Sequence, residues 1–161
     1  MSDAVLNRRA VRKYTDESLT DAQLEKLVAA FQATPAGMGQ FEVMELKLVT
    51  SQETRAKLES IANGAFYGAP ALFVIATKSD SPFADRDGSC AAENLMIEAK
   101  ELGLGSVYIL GGTMALNKSQ EAKELLNLKD GYEVSVVVPV GVPAEKNEVP
   151  DRSSRYQVER I

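Results

Sequence analysis

Asn7-Arg8-Arg9-Ala10-Val11-Arg12-Lys13-Tyr14 gathers four cations into one short segment of a chain whose formal net charge is -5. Arginine presents a planar fork that matches phosphate or carboxylate oxygens two at a time. A compact anionic ligand is therefore the first functional expectation; a solvated basic turn is the competing reading of such a cluster taken alone. Two glycine-bearing loops are the other candidates. In Thr34-Pro35-Ala36-Gly37-Met38-Gly39-Gln40, glycines allow close approach of backbone to a flat ligand, and Gln40 supplies a donor and an acceptor. Gly111-Gly112 is either a plain turn or a source of unhindered backbone N–H groups. Gly103-Leu104-Gly105 is not a dinucleotide fingerprint: Tyr108 stands where a third glycine belongs, and the glycines close a helix instead of opening one.

Composition removes many chemistries. The chain has no histidine and one cysteine, Cys90. No Ser-His-Asp or Cys-His triad, histidine zinc site or thiolate cluster can be built, so no metal is expected. Redox or group-transfer chemistry would most simply reside in a bound cofactor. Net acidity argues against nucleic acid, which needs a broad basic face. The longest apolar run, Ala69–Ala76, is too short to span a bilayer, and Met1-Ser2-Asp3 lacks the order of a signal peptide. A lone cysteine fits a reducing cytoplasm.

The elements that must position these residues read as follows. Thr20 and Gln23 form a capping box ahead of the stripe Leu24, Leu27, Val28 and Phe31, and the helix stops near Pro35. Val43–Val49 alternates as a strand, and Ser51-Gln52-Glu53 opens a helix running to about Ala62. Ala71–Ala76 is a strand covered on both faces. A long helix from Phe83 to Leu102, rich in alanine, ends at Gly103. Val107–Leu110 is expected as a short strand, Ser119–Leu126 as a helix and Glu133–Val142 as the strongest strand. Asp87, Glu93 and Asn94 on the long helix read as packing and hydrogen-bonding positions. After Pro143 the apolar periodicity fails, leaving a tail from Ala144 to Ile161 that is frayed or laid across another subunit. The expected fold class is α+β, in three layers, with a mixed sheet of about four or five strands flanked by helices, one of them long and central.

The order of these features closely resembles the nitroreductase family of FMN-dependent oxidoreductases. The features are the Arg-Arg start, the Pro-Ala-Gly-x-x-Gln loop, Gly68-Ala69-Pro70 before a buried strand, Leu102-Gly103-Leu104-Gly105-Ser106 after the long helix, Gly111-Gly112, and Val140-Gly141-Val142-Pro143. The match is collinear over nearly the whole chain. It implies one nitroreductase-like FMN-binding domain over residues 1–161, with 144–161 an extended tail contacting the partner of a homodimer. It also implies electron donation by NADH or NADPH, and hydride transfer through flavin N5 to a nitroaromatic, quinone or similar small acceptor.

Carried over residue by residue, Arg8 and Arg9 match the family's phosphate-binding pair, and Arg12 the basic residue at the pyrimidine side of the flavin, where it stabilises the reduced form. Gly37 and Gln40 match the flavin-contacting loop, and Gly111 and Gly112 the turn near N5. Arg155 is the tail's basic residue for the phosphate, with Arg152 as the alternative. Ala10 stands where serine is frequent, and Gly39 where a longer polar side chain is usual. Those departures keep open an alternative reading, an FMN-binding or regulatory relative (a flavin store or sensor) with little or no catalytic activity.

Overall fold

The computed structural model describes residues 3–146 and 148–161; Met1, Ser2 and the tail's Asn147 lie outside the described residues. A one-turn helix, α1 (Ala4–Asn7), is capped by Asp3, whose Oδ1 accepts from Leu6 N at 3.1 Å. Sequence patterning gave no sign of α1, because four residues carry no periodicity. In α2 (Asp21–Gln32) the capping box forms as its spacing predicts, with Gln23 N donating to Thr20 Oγ1 at 3.2 Å and Thr20 N to Gln23 Oε1 at 2.8 Å. Two 3₁₀ turns, Gly37–Gly39 and Phe41–Val43, lead into β1 (Met44–Val49), followed by α3 (Gln52–Ile61) and β2 (Ala71–Lys78).

The long helix α4 (Ala84–Glu101) stops where glycine permits the left-handed turn that reverses a helix end. Gly103 has φ +74°, its N–H bonds Lys100 O at 3.1 Å, and Leu104 N bonds Ala99 O at 2.8 Å, the paired closure of a Schellman motif. The chain then forms β3 (Gly105–Ser106), α5 (Thr113–Lys118), α6 (Gln120–Leu125) and β4 (Tyr132–Gly141).

The sheet order is β1-β2-β4-β3. The expected mixed sheet has only antiparallel ladders; its parallel component is the single bridge from Ala10 to Ser106. Alternation along β2 and β4 divides the core by face. Phe73, Ile75, Val136 and Val138 pack against Leu27 and Phe31 of α2 and the alanine-rich stripe of α4. Leu72, Val74, Val134 and Val137 pack against Leu58 of α3, Phe66, Leu116 of α5 and Ala122 of α6. These are the three layers, and the unbroken apolar run of β2 is buried on both faces because helices cover both.

The strand expected at Val107–Leu110 is displaced. The ladder with β4 covers only Gly105 and Ser106, and contact resumes as an isolated bridge between Ile109 and Val137. Pro139 explains the interruption: Val137 N and O both pair with Ile109, so two residues on Pro139 faces the same edge, and proline has no N–H to offer there. Helix α5 also went unforeseen, since no side chain caps its start and it is only six residues long. Its Asn117 substitutes for a strand on the exposed edge of β4: Nδ2 donates to Val134 O at 3.0 Å, and Oδ1 accepts from Val134 N at 2.8 Å.

Candidate functional site

The basic segment runs as an added edge along β3 and the end of β4. Val11 N donates to Ser106 O at 2.9 Å, Thr15 N to Val142 O at 2.9 Å, and Ala144 N to Lys13 O at 3.0 Å. Side chains alternate along this extended stretch. Val11 is buried against Gly105, where a Cβ would lie 2.7 Å from Val11 Cγ1; glycine is required for that close approach. Tyr14 points inward and donates its hydroxyl to Val11 O at 2.6 Å, with Pro139 O at 3.3 Å as a second acceptor. Burial pushes the Tyr14 phenol well above its ordinary range, opposed in part by the nearby Arg12 cation, so the hydroxyl stays a donor at neutral pH. Arg12 and Lys13 are left exposed.

Arg8, like Arg9, is half-buried. Its Nε lies 3.1 Å from Glu93 Oε1 on α4, but the N–H is not aligned on that oxygen, and Nε is buried without a hydrogen-bond acceptor. From the tail, Arg152 turns back onto the same place: Nη1 donates to Leu6 O at 3.2 Å and Nη2 to Arg8 O, while its Nε is also buried and unsatisfied. A small cavity beside them is lined by Asn7, Arg8, Arg9, Met96, Lys100 and Leu104 among others. Arg9 itself donates to Glu145 O at 3.1 Å, and Lys13 pairs with the Glu145 carboxylate. Buried N–H groups are nearly always satisfied, so two orphaned guanidinium donors, one beside the Glu93 carboxylate and the other on an arginine folded onto the Arg8 carbonyl, leave hydrogen-bonding capacity that an anionic ligand could fill. A phosphate group supplies the acceptors they lack. Of the two tail arginines singled out for the phosphate, the structure brings Arg152 to Arg8, whereas Arg155 is exposed and contacts Arg152 only through its backbone.

The glycine loop is held by α4. Gly37 N donates to both carboxylate oxygens of the buried Asp87, at 3.2 and 3.1 Å. A Cβ on Gly37 would sit 2.3 Å from the Phe83 ring, so only glycine fits. Asn94 Nδ2, 3.3 Å from both Ala30 O and Thr34 Oγ1, ties down the end of α2 before the loop. Sequence spacing placed Asp87 and Asn94 as hydrogen-bonding positions without revealing that their common task is this loop. Beyond the anchor the loop projects: Met38 adopts φ 55° and is 84% exposed, and Gln40 and Phe41 are exposed beside it. A left-handed methionine is uncommon and signals a loop shaped for something other than its own stability.

Gly111 and Gly112 divide their roles. A Cβ on Gly112 would lie 2.9 Å from the Phe66 ring, so this glycine serves close packing, while Gly111 is exposed with open space around its Cα. Gly112 packs in the α3/α5 layer, whereas Gly37 is clamped in the α2/α4 layer. One chain therefore assembles the arginine cluster but keeps the two glycine loops on opposite faces of its sheet. Among the described residues, no group of acidic, cysteine or histidine side chains could hold a metal ion.

Fold and site together define an α+β protein with a small cavity beside a cluster of cationic side chains where the N-terminal segment edges its sheet. A model described as the Nitroreductase family matches residues 5–66 and 41–142. An NADPH-flavin oxidoreductase of Vibrio harveyi is 29% identical over 174 residues, spanning 97% of this chain and 71% of that protein. The oxygen-insensitive NADPH nitroreductase of Salmonella typhimurium is 25% identical over 177 residues, spanning 99% of this chain and 71% of its own length. A nitroreductase of Bacteroides fragilis, crystallised with bound FMN, shares the fold with a TM-score of 0.84 at 20% identity, over 99% of this chain and 100% of that one. The chain belongs to the nitroreductase family.

Proposed function

We propose that this protein is an FMN-dependent oxidoreductase that takes electrons from NADH or NADPH and reduces a nitroaromatic, quinone or similar small acceptor. The observation that carries the reading is the pair of buried, unsatisfied guanidinium nitrogens of Arg8 and Arg152 in a chain of this family. When bound, FMN would supply the hydride chemistry, which amino-acid side chains do not carry. The chain's own part is binding and electrostatics. Arg8, Arg9 and Arg152 hold the phosphate, Gly37 and Gln40 on the clamped loop and the Gly111-Gly112 turn border the ring system, and Arg155 lies free for a partner subunit.

A homodimer completes this arrangement. The two glycine loops face opposite sides of one sheet, so the loop of one copy and the turn of another meet only across an interface. Exposed Val5, Leu6, Met38, Phe41, Leu110 and Met114 provide apolar surface for it. The tail from Ala144 to Ile161 is the segment we assign to the partner contact. No helix among the described residues is long and apolar enough to cross a membrane, and the exposed free thiol of Cys90 suits the reducing cytoplasm, where we place the protein. Neither nucleic acid nor membrane is needed as a partner.

Incubation with FMN followed by desalting tests the cofactor assignment: the protein is expected to retain a flavin absorbance spectrum. A colourless protein overturns the oxidoreductase reading. The second reading, a flavin store or sensor, draws on Ala10 and on Gly39, whose φ of +69° disfavours a longer side chain. Steady-state NADH oxidation with a quinone acceptor separates the two.

Arg12 is exposed and carries no ion pair among the described residues, so its charge is available to the cofactor. Arg12→Ala is expected to lower the bound flavin's reduction potential, by about 30 mV for each ~1.4 kcal/mol of lost stabilisation of the reduced form. Equilibration against a reference dye reads this directly. An unchanged potential with weakened binding would place Arg12 at the phosphate instead.

A further inference from the structure

We propose that Glu93 is an internal competitor for Arg8 and thereby sets how tightly this site holds a phosphate. The proposal rests on the flavin-phosphate reading above. Glu93 shares a face of α4 with Met96 and Lys100, at spacings of three and seven residues, and both of those line the cavity beside Arg8. Its carboxylate lies 3.1 Å from Arg8 Nε.

Three features make it a competitor instead of a strut. The contact is Coulombic, without an aligned hydrogen bond, so it gives Arg8 little directional restraint. Both side chains are partly exposed, 28% for Arg8 and 41% for Glu93, and such pairs separate at small cost. The Arg8 backbone is fixed independently, by Arg8 N donating to Ala4 O at 2.8 Å and by Arg152 donating to Arg8 O. Removing the Glu93 charge thus leaves Arg8 in place and removes a negative group that repels an incoming phosphate and neutralises its receptor. A site built this way holds its anion less tightly, and releases it more readily, than an uncompensated arginine cluster would.

The test compares FMN with riboflavin, which lacks the phosphate, by fluorescence titration of wild type, Glu93→Gln and Glu93→Asp. Glu93→Gln is expected to bind FMN about two- to fivefold more tightly at low ionic strength, the range a half-exposed pair allows. The gain shrinks as salt screens the charge, riboflavin binding is unchanged, and Glu93→Asp stays close to wild type. Unchanged or weaker FMN binding by Glu93→Gln overturns the proposal, and so does an equal gain for riboflavin, which would show a change of pocket shape. If wild type prefers FMN over riboflavin and Glu93→Gln shows no gain, only the role of Glu93 falls. If wild type shows no such preference, the phosphate reading beneath it falls too.

Discussion

Arg8→Ala is expected to weaken FMN binding by roughly ten- to a hundredfold while leaving riboflavin binding nearly unchanged. The loss follows from removing charge-assisted hydrogen bonds to the phosphate, each set contributing about 1.5–3 kcal/mol. The fold should tolerate the change, because Arg8 makes no aligned side-chain hydrogen bond in the protomer and its Glu93 partner is 41% exposed, so the orphaned carboxylate is hydrated. Arg152 also keeps its place, since it grips the Leu6 and Arg8 carbonyls, which alanine retains. Arg8→Lys should fall between, restoring charge without the planar fork. Equilibrium dialysis with both flavins reads the ratio. Equal losses for FMN and riboflavin would mean that Arg8 shapes the pocket instead of binding the phosphate.

Much of the scaffold around that site was written in short-range sequence signals. The capping box of Thr20 and Gln23, the unbroken apolar run of β2 and the glycine stop after α4 each depend on residues within a few positions of one another, and each appears where its spacing predicts. The displaced β3 shows where local reading fails. Val107-Tyr108-Ile109-Leu110 has strand-forming residues, but its pairing depends on Pro139, some thirty positions away, which presents no N–H on that edge. The site divides in the same way. The cations were visible as a cluster, yet the Arg8–Glu93 contact and the return of Arg152 to the Arg8 carbonyl join residues far apart in the chain. A tail without periodicity holds no signal for which of its arginines turns back, and only the folded chain sets Arg152 apart from Arg155. Asp87 likewise reads as an ordinary polar helix residue until Gly37 is seen donating to both of its oxygens.

Truncation after Pro143 is expected to remove flavin retention and to shift the protein toward monomer. Within the protomer, the deleted segment carries Arg152, which clamps the Leu6 and Arg8 carbonyls, and Glu145, which pairs with Lys13 and accepts from Arg9. Its loss also takes away the Ala144 N to Lys13 O bond along the outer edge of the basic segment. The cations would then lose part of the hydrogen bonding that fixes their backbone, and one of their number. The tail's apolar residues argue separately for a partner: Tyr156 is 79% and Val158 85% exposed, with Val149 and Ile161 also uncovered. Holding each backbone residue in one conformation costs roughly 1–2 kcal/mol, so an extended tail needs contacts beyond those its own protomer gives it. In the proposed homodimer a second copy would supply them, and the tail would then couple dimerisation to cofactor binding. Sedimentation velocity and desalting of the truncated protein measure the two consequences independently. Arg152→Ala in the full chain distinguishes them further, because it should loosen the flavin while leaving the apolar contacts of the dimer intact. A truncated protein that stays a yellow dimer would reduce the tail to a frayed end, and the arginine cluster would then have to hold its phosphate through Arg8 and Arg9 alone.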